Sequence, residues 1–242
     1  MRKKAFCNYG TLFLILYMRR FVIGDIHGAN KAILQCFERS GFDKHNDLLI
    51  CLGDLCDGWP EVSEVLDTLL EVDNLQLLRG NHDQWMLDWL DTGDTPYIWT
   101  SQGGDSTILS FKDGISDSQR KLVYNARLYH IMDNMLFVHG GFNPDKPLEL
   151  QSSHELLWDR TLVKKALYCE STEKEACHLT KFEKVFVGHT PTINFGNAVP
   201  VFACEICMLD TGARWPGGVL TMMDIDSEKW YSSDVVTTLY KQ

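Results

Sequence analysis

Phe21-Val22-Ile23-Gly24-Asp25-Ile26-His27-Gly28 decides how the rest of this chain is read. Three apolar residues suit a buried strand, and they run straight into an Asp and a His one residue apart, between two glycines. A carboxylate and an imidazole at the end of a rigid strand grip one divalent cation together, and the glycines let the backbone turn without side-chain clashes. That is half of a metal site.

The same grammar recurs outward from this stretch. Leu48-Leu49-Ile50-Cys51-Leu52 leads into Gly53-Asp54-Leu55-Cys56-Asp57, and Leu75-Gln76-Leu77-Leu78 leads through Arg79 into Gly80-Asn81-His82-Asp83. Met135-Leu136-Phe137-Val138 ends at His139-Gly140-Gly141, and Val185-Phe186-Val187 ends at Gly188-His189-Thr190. One polar residue beyond a strand is ordinary, but a series in the same register argues that the strand ends share one rim. Helical spacing at Ala29, Ile33, Cys36 and Phe37, and again from Val62 to Leu70, makes the start a βαβαβ unit with a largely parallel sheet. From Gln84 to about His130 the pattern turns helical, with segments at 85–90, 105–111 and 116–128, and reads as an insertion lying over one side of the rim. A second β-rich half follows, with a helix expected over 153–169, a charged loop at 170–174, one strand over Val201–Leu209, and a final hairpin turning at Ser227-Glu228.

Composition bounds the function. The 242 residues carry 23 Lys plus Arg against 33 Asp plus Glu, a formal charge of −10 that disfavours nucleic acid as a partner. Eight scattered cysteines fit small core residues in a reducing cytoplasm, and Cys204-x-x-Cys207 reads as core, since a three-residue offset on a strand sends the two sulfurs to opposite faces. Met1-Arg2-Lys3-Lys4 and Thr11–Tyr17 imitate a signal peptide, but the apolar run is too short to span a bilayer, so no membrane association is expected. The expectation is a start at Met18, with residues 1–17 an upstream extension and 18–242 a single domain.

The ordered set Gly24-Asp25-Ile26-His27-Gly28, Gly53-Asp54-Leu55-Cys56-Asp57, Gly80-Asn81-His82-Asp83, His139-Gly140-Gly141, Gly188-His189-Thr190 and Asp210-Thr211-Gly212 resembles the signature series of the phosphoprotein phosphatases, within the calcineurin-like metallophosphoesterases. It is similar to the compact prokaryotic and phage members. The resemblance implies an α+β fold of two facing sheets flanked by helices in four layers. It also implies a centre of two divalent metal ions, Mn²⁺ first, with Fe or Zn as other occupants. By the same resemblance Asp25 and His27 hold one ion, Asp54 bridges both, and Asn81, His139 and His189 hold the second. A bridging carboxylate keeps such a pair about 3.5–4 Å apart, and a shared water then ionises near neutral pH and attacks phosphorus directly, without a protein nucleophile. His82 resembles the acid that protonates the leaving alkoxide, with Asp57 raising its basicity so that it carries a proton at working pH. Arg160, with Asn81 and His82, corresponds to the substrate-phosphate contacts.

The implied activity is a cytoplasmic metal-dependent phosphomonoesterase, a serine/threonine protein phosphatase acting on phosphorylated proteins or small phosphate esters. Two departures matter. Gly58 stands where the family usually has arginine, which implies weaker phosphate affinity, a shift of that task to another cation such as Arg214, or a different substrate, and Asp83 stands where Glu is common. Gly-Asn-His-Asp also occurs in dinucleoside-tetraphosphate hydrolases, the enzymatic alternative. A metal-binding regulatory module without catalysis is the alternative of another class, and the Asp57 and His82 pair argues against it.

Overall fold

The computed structural model describes residues 5–8, 11–14, 18–172 and 177–240. Strands β1 (Ala5–Asn8) and β2 (Thr11–Leu14) pair antiparallel with one another. Both strands fall within the expected extension, whose residues 1–4, 9–10 and 15–17 lie outside the described residues.

The first sheet contains β3 (Arg20–Ile23), β4 (Leu48–Cys51) and β5 (Asn74–Leu77), all parallel as the βαβαβ pattern requires. The second contains β6 (Tyr129–Met132), β7 (Met135–Val138), β8 (Lys184–Val187), β9 (Val201–Ala203) and β10 (Ile206–Met208) in the order β6-β7-β8-β10-β9. Strands β11 (Thr221–Asp224) and β12 (Trp230–Ser232), the expected closing hairpin, return to the first sheet, where β11 lies antiparallel to β3.

Period-two alternation makes the layers. Phe21 and Ile23 pack outward onto helices while Val22 faces the other sheet; Leu136 and Val138 behave likewise around Phe137, and Val185 and Val187 around Phe186. Phe137 and Phe186 stack at 4.9 Å in the core between the sheets. Truncating either ring to alanine costs about 3–5 kcal/mol by the usual behaviour of such sites. Helices α1 (Asn30–Ser40), α2 (Val62–Leu70) and α3 (Asn81–Thr92) carry residues of the outer core of the first sheet. The insertion folds as α4 (Tyr97–Trp99), a kinked turn at Thr100–Gly104, α5 (Asp105–Ser110) and α6 (Asp117–Tyr124). Helix α6 stops four residues short of the expected end. Helices α7 (Ser153–Trp158) and α8 (Thr161–Ser171) supply Leu156, Leu162, Val163 and Ala166 to the outer core of the second sheet, and α9 (Val236–Leu239) closes the described chain.

Two expectations are corrected. The helix over 153–169 is two helices: Asp159 leaves helical geometry and accepts hydrogen bonds from the Thr161 amide at 3.0 Å and hydroxyl at 2.7 Å, which starts α8 afresh and sets Arg160 at the junction. Helix α8 then runs to Ser171, into the expected loop, whose residues 173–176 lie outside the described set. Val201–Leu209 is a tight hairpin rather than one strand, because Cys204 takes φ +52° at its turn. Cys204 packs on the α8 side and Cys207 faces the core between the sheets.

Candidate metal centre

The strand ends converge. Asp25 and His27 follow β3, Asp54 and Asp57 follow β4, and Asn81 and His82 open α3 after β5; His139 follows β7 and His189 follows β8. All eight are buried. Of the eight non-glycine residues with positive φ among the described residues, four are His27, Asp54, Asp57 and His189. Left-handed backbone costs energy for such residues, and its concentration here marks loops held for function rather than for ease of folding. Gly188 approaches so closely that a Cβ would collide with Asp25 Oδ1, and one at Gly80 would collide with Asp54.

Hydrogen bonds fix the histidine tautomers. His27 Nδ1 donates towards the carbonyls of Cys56 at 2.9 Å and Asp57 at 2.8 Å, and His139 Nδ1 donates to that of Leu52 at 2.9 Å. His189 bonds the Trp158 backbone. His27 and His139 therefore keep an unprotonated Nε2 for the centre, and a ring nitrogen free of its proton is what a metal-binding histidine requires. His189 Nε2 and Asp25 Oδ1 are buried without any partner. Asp54 lies within ligand reach of both His27 with His82 and of His139 with His189, so its carboxylate is common to two clusters. His139 Nε2 is 3.0 Å from Asn81 Oδ1. Unpartnered acceptors, fixed tautomers and one shared carboxylate fit a pair of divalent ions.

Burial, and then the charges of Asp210 and Asp54, raise the Asp25 carboxyl well above its usual range; burial and Asp83 do the same for Asp54. Burial lowers His27, takes His139 down to about 3 and His189 down to about 2. Like-charged carboxyls and buried imidazoles both favour a neutral centre until cations compensate the carboxylates.

Asp57 is fully buried and its carboxylate accepts three bonds: from His82 Nδ1 at 2.7 Å, Trp99 Nε1 at 2.7 Å and Thr107 Oγ1 at 2.6 Å. Trp99 and Thr107 come from the insertion, and nothing in its helical spacing singled them out as partners of Asp57. Burial and then the Arg214 guanidinium, 3.4 Å from Nε2, hold the His82 imidazole down at about 3, while burial pushes Asp57 up to about 7 against the pull of Thr107 and Trp99. Asp83 has a positional part, since its carboxylate accepts from the amides of Gly80 at 2.7 Å, Asp54 at 2.8 Å and Leu55 at 2.8 Å and so ties the two metal-facing loops together. Asp210 accepts from the Gly212 amide at 3.0 Å, and burial raises it to about 6.

Arg160 Nη2 donates to the His189 carbonyl at 3.0 Å, which brings its charge to the edge of the centre. Trp85 and Trp158 meet edge-on at 5.1 Å; Trp85 also abuts His82 and Trp158 abuts His189, so an aromatic wall closes one side. Among the described residues no helix is long and apolar enough to cross a membrane.

Residues 18–193 match the family described as calcineurin-like phosphoesterase. The chain is 36% identical over 211 residues to serine/threonine-protein phosphatase 2 of Salmonella typhimurium, covering 83% of this chain and 94% of that protein. It is 30% identical over 135 residues to a symmetrical bis(5'-nucleosyl)-tetraphosphatase of Nitrosomonas europaea, covering 54% of this chain and 48% of that one. A protein serine/threonine phosphatase from Saccharomyces cerevisiae shares the fold at a TM-score of 0.60 and 15% identity, over 90% of this chain and 80% of that one.

Proposed function

Because this chain belongs to the calcineurin-like phosphoesterase family, we propose that it is a dinuclear-metal phosphomonoesterase that acts as a serine/threonine protein phosphatase. The observation that carries the reading is the Asp54 carboxylate common to two ligand clusters, with the His82–Asp57 pair beside it. Asp25, His27 and Asp54 would hold one cation, and Asp54, Asn81, His139 and His189 the other. Mn²⁺ suits this mixed nitrogen and oxygen set, as Fe or Zn would. When bound, the cations neutralise phosphate oxygens and acidify water.

The protein's own groups do the rest. Asp57 fixes the His82 ring through Nδ1, which leaves Nε2 facing Arg214 and able to deliver a proton to the departing alkoxide. A phosphate dianion arriving beside Arg214 offsets the guanidinium field on His82 and favours the protonated ring. Arg160, and Asn81 with His82, contact phosphate oxygens in this reading. Next to Arg160 a groove of about 270 Å³, lined by Val163, Lys164, Leu167, Phe195 and Trp215, offers room for the organic part of an ester.

The second reading is hydrolysis of dinucleoside tetraphosphates, favoured by Asp83 in Gly-Asn-His-Asp and by the Nitrosomonas relative. One panel with Mn²⁺ decides between them: phosphoserine and phosphothreonine peptides, p-nitrophenyl phosphate and diadenosine tetraphosphate, compared by kcat/KM. A dominant rate on phosphopeptides is expected. A dominant rate on the tetraphosphate overturns the monoesterase reading in favour of the second, and no turnover by metal-loaded protein leaves a binding module.

A further inference from the structure

Two guanidinium groups flank the centre, and neither has a carboxylate within ion-pairing distance among the described residues. Arg160 touches His189 on one side and Arg214 touches His82 on the other. Arg160 is exposed, but Arg214 is half-buried, and a half-buried cation usually acquires a fixed carboxylate partner. Two cations left unpaired beside paired histidines suit an anion that arrives from outside. Trp215, next in the chain, lies under the Arg214 guanidinium at 5.7 Å and limits its swing.

The loop after Asp57 explains why the second cation comes from so far along the chain. Gly58 has φ +138°, a conformation closed to other residues, and a Cβ there would stand 3.2 Å from the His27 carbonyl oxygen and 3.4 Å from Arg214 Cγ. The stem of Arg214 already fills that space. Trp59 then joins the two loops: its Nε1 donates to the Ala213 carbonyl at 2.9 Å, its own amide donates to the His27 carbonyl at 2.8 Å, and its ring stacks on Tyr240 at 5.0 Å. Tyr240 is itself anchored, donating to Glu61 at 2.5 Å and accepting from the Lys31 amide at 3.1 Å. A rigid indole thus sets the residue immediately before Arg214 against the backbone of the metal-facing His27 loop.

We propose that Arg214 grips the phosphoryl group opposite Arg160, and that Trp59 is the positioning residue that aims it there. The proposal rests on the phosphoesterase reading for its ligand, and its test separates the two. Inorganic phosphate is titrated calorimetrically into Mn²⁺-loaded protein, and KM and kcat are measured on p-nitrophenyl phosphate, with metal content checked for each variant.

Arg214→Ala should weaken phosphate binding and raise KM by about 10- to 100-fold, the worth of a charge-assisted hydrogen bond. Arg214→Lys should recover only part, because an ammonium cannot make the planar two-point contact. Trp59→Phe keeps the stacking ring and loses the N–H donor. It should shift KM in the same direction by less and have no further effect in the Arg214→Ala background.

Wild-type phosphate affinity and KM in Arg214→Ala would overturn the proposal while leaving hydrolysis intact. If that variant loses its metals, Arg214→Lys decides, since it must raise KM with both metals retained, and an unchanged KM there is equally fatal. A wild type that binds phosphate through Arg214 but hydrolyses no ester would end the phosphomonoesterase reading and leave the clamp standing. Additive effects of Trp59→Phe and Arg214→Ala would remove Trp59 from its positioning part.

Discussion

Asp57→Asn probes the proton-delivering pair with little change of shape. The carboxylate has no exposure and accepts three hydrogen bonds, two on Oδ2 and one on Oδ1. An asparagine has one orientation that keeps two of them: its oxygen takes the place of Oδ2 and still accepts from His82 and Trp99, while its amide faces Thr107 Oγ1. That hydroxyl already accepts from the residue 57 amide at 3.0 Å and has a second lone pair for the new donor. The fold and the metals should therefore survive, and what is lost is charge. Hydrogen bonds to a charged group are worth about 1.5–3 kcal/mol and neutral ones about 0.5–1.5, so the imidazolium loses about 1–2 kcal/mol of support. That corresponds to roughly a 5- to 30-fold fall in kcat where proton delivery limits the rate. His82→Asn, which deletes the acid, should cost about 10²–10⁴. The assay compares a phosphoserine peptide, whose alkoxide needs the proton, with p-nitrophenyl phosphate, whose phenolate does not. The loss should be concentrated on the peptide. Equal losses on both substrates, with metal content unchanged, would refute the acid assignment for His82.

The pH dependence of metal stabilisation has a worked sign. Carboxyls raised in the folded state contribute stability that is complete below the unfolded value of 3.8 and disappears as pH rises through about 6 for Asp210 and about 7 for Asp57. Histidines held down, as His139 is at about 3, act in the opposite sense: their contribution is complete above the unfolded 6.5 and is lost as pH falls towards the folded value. Cations relieve the carboxylate repulsion, so the rise in Tm on adding Mn²⁺ should grow from pH 5 to pH 8 in thermal melts, and a pH-independent increment would contradict this electrostatic account. Gly188→Ala should cut metal content and activity together while circular dichroism stays native, because the new methyl displaces the Asp25 carboxylate; full metal loading in that variant would remove Asp25 from the ligand set.

The amino-acid sequence by itself determined the layers and the rim. Alternation in β3, β7 and β8 is a property of neighbouring residues, so it was legible without tertiary information, and so was the delivery of Asp25, Asp54, His139 and His189 just past strand ends. Boundaries set by a single backbone angle were not: the break at Asp159 and the turn at Cys204 lie inside runs whose apolar spacing continues straight through them. Tertiary structure alone decided that Trp99 and Thr107 hold Asp57 and that Arg214 stands against His82. Those contacts depend on the paths of the insertion and of the 211–218 loop, which carry no periodicity, and on close packing that brings a tryptophan from residue 59 onto the carbonyl of residue 213.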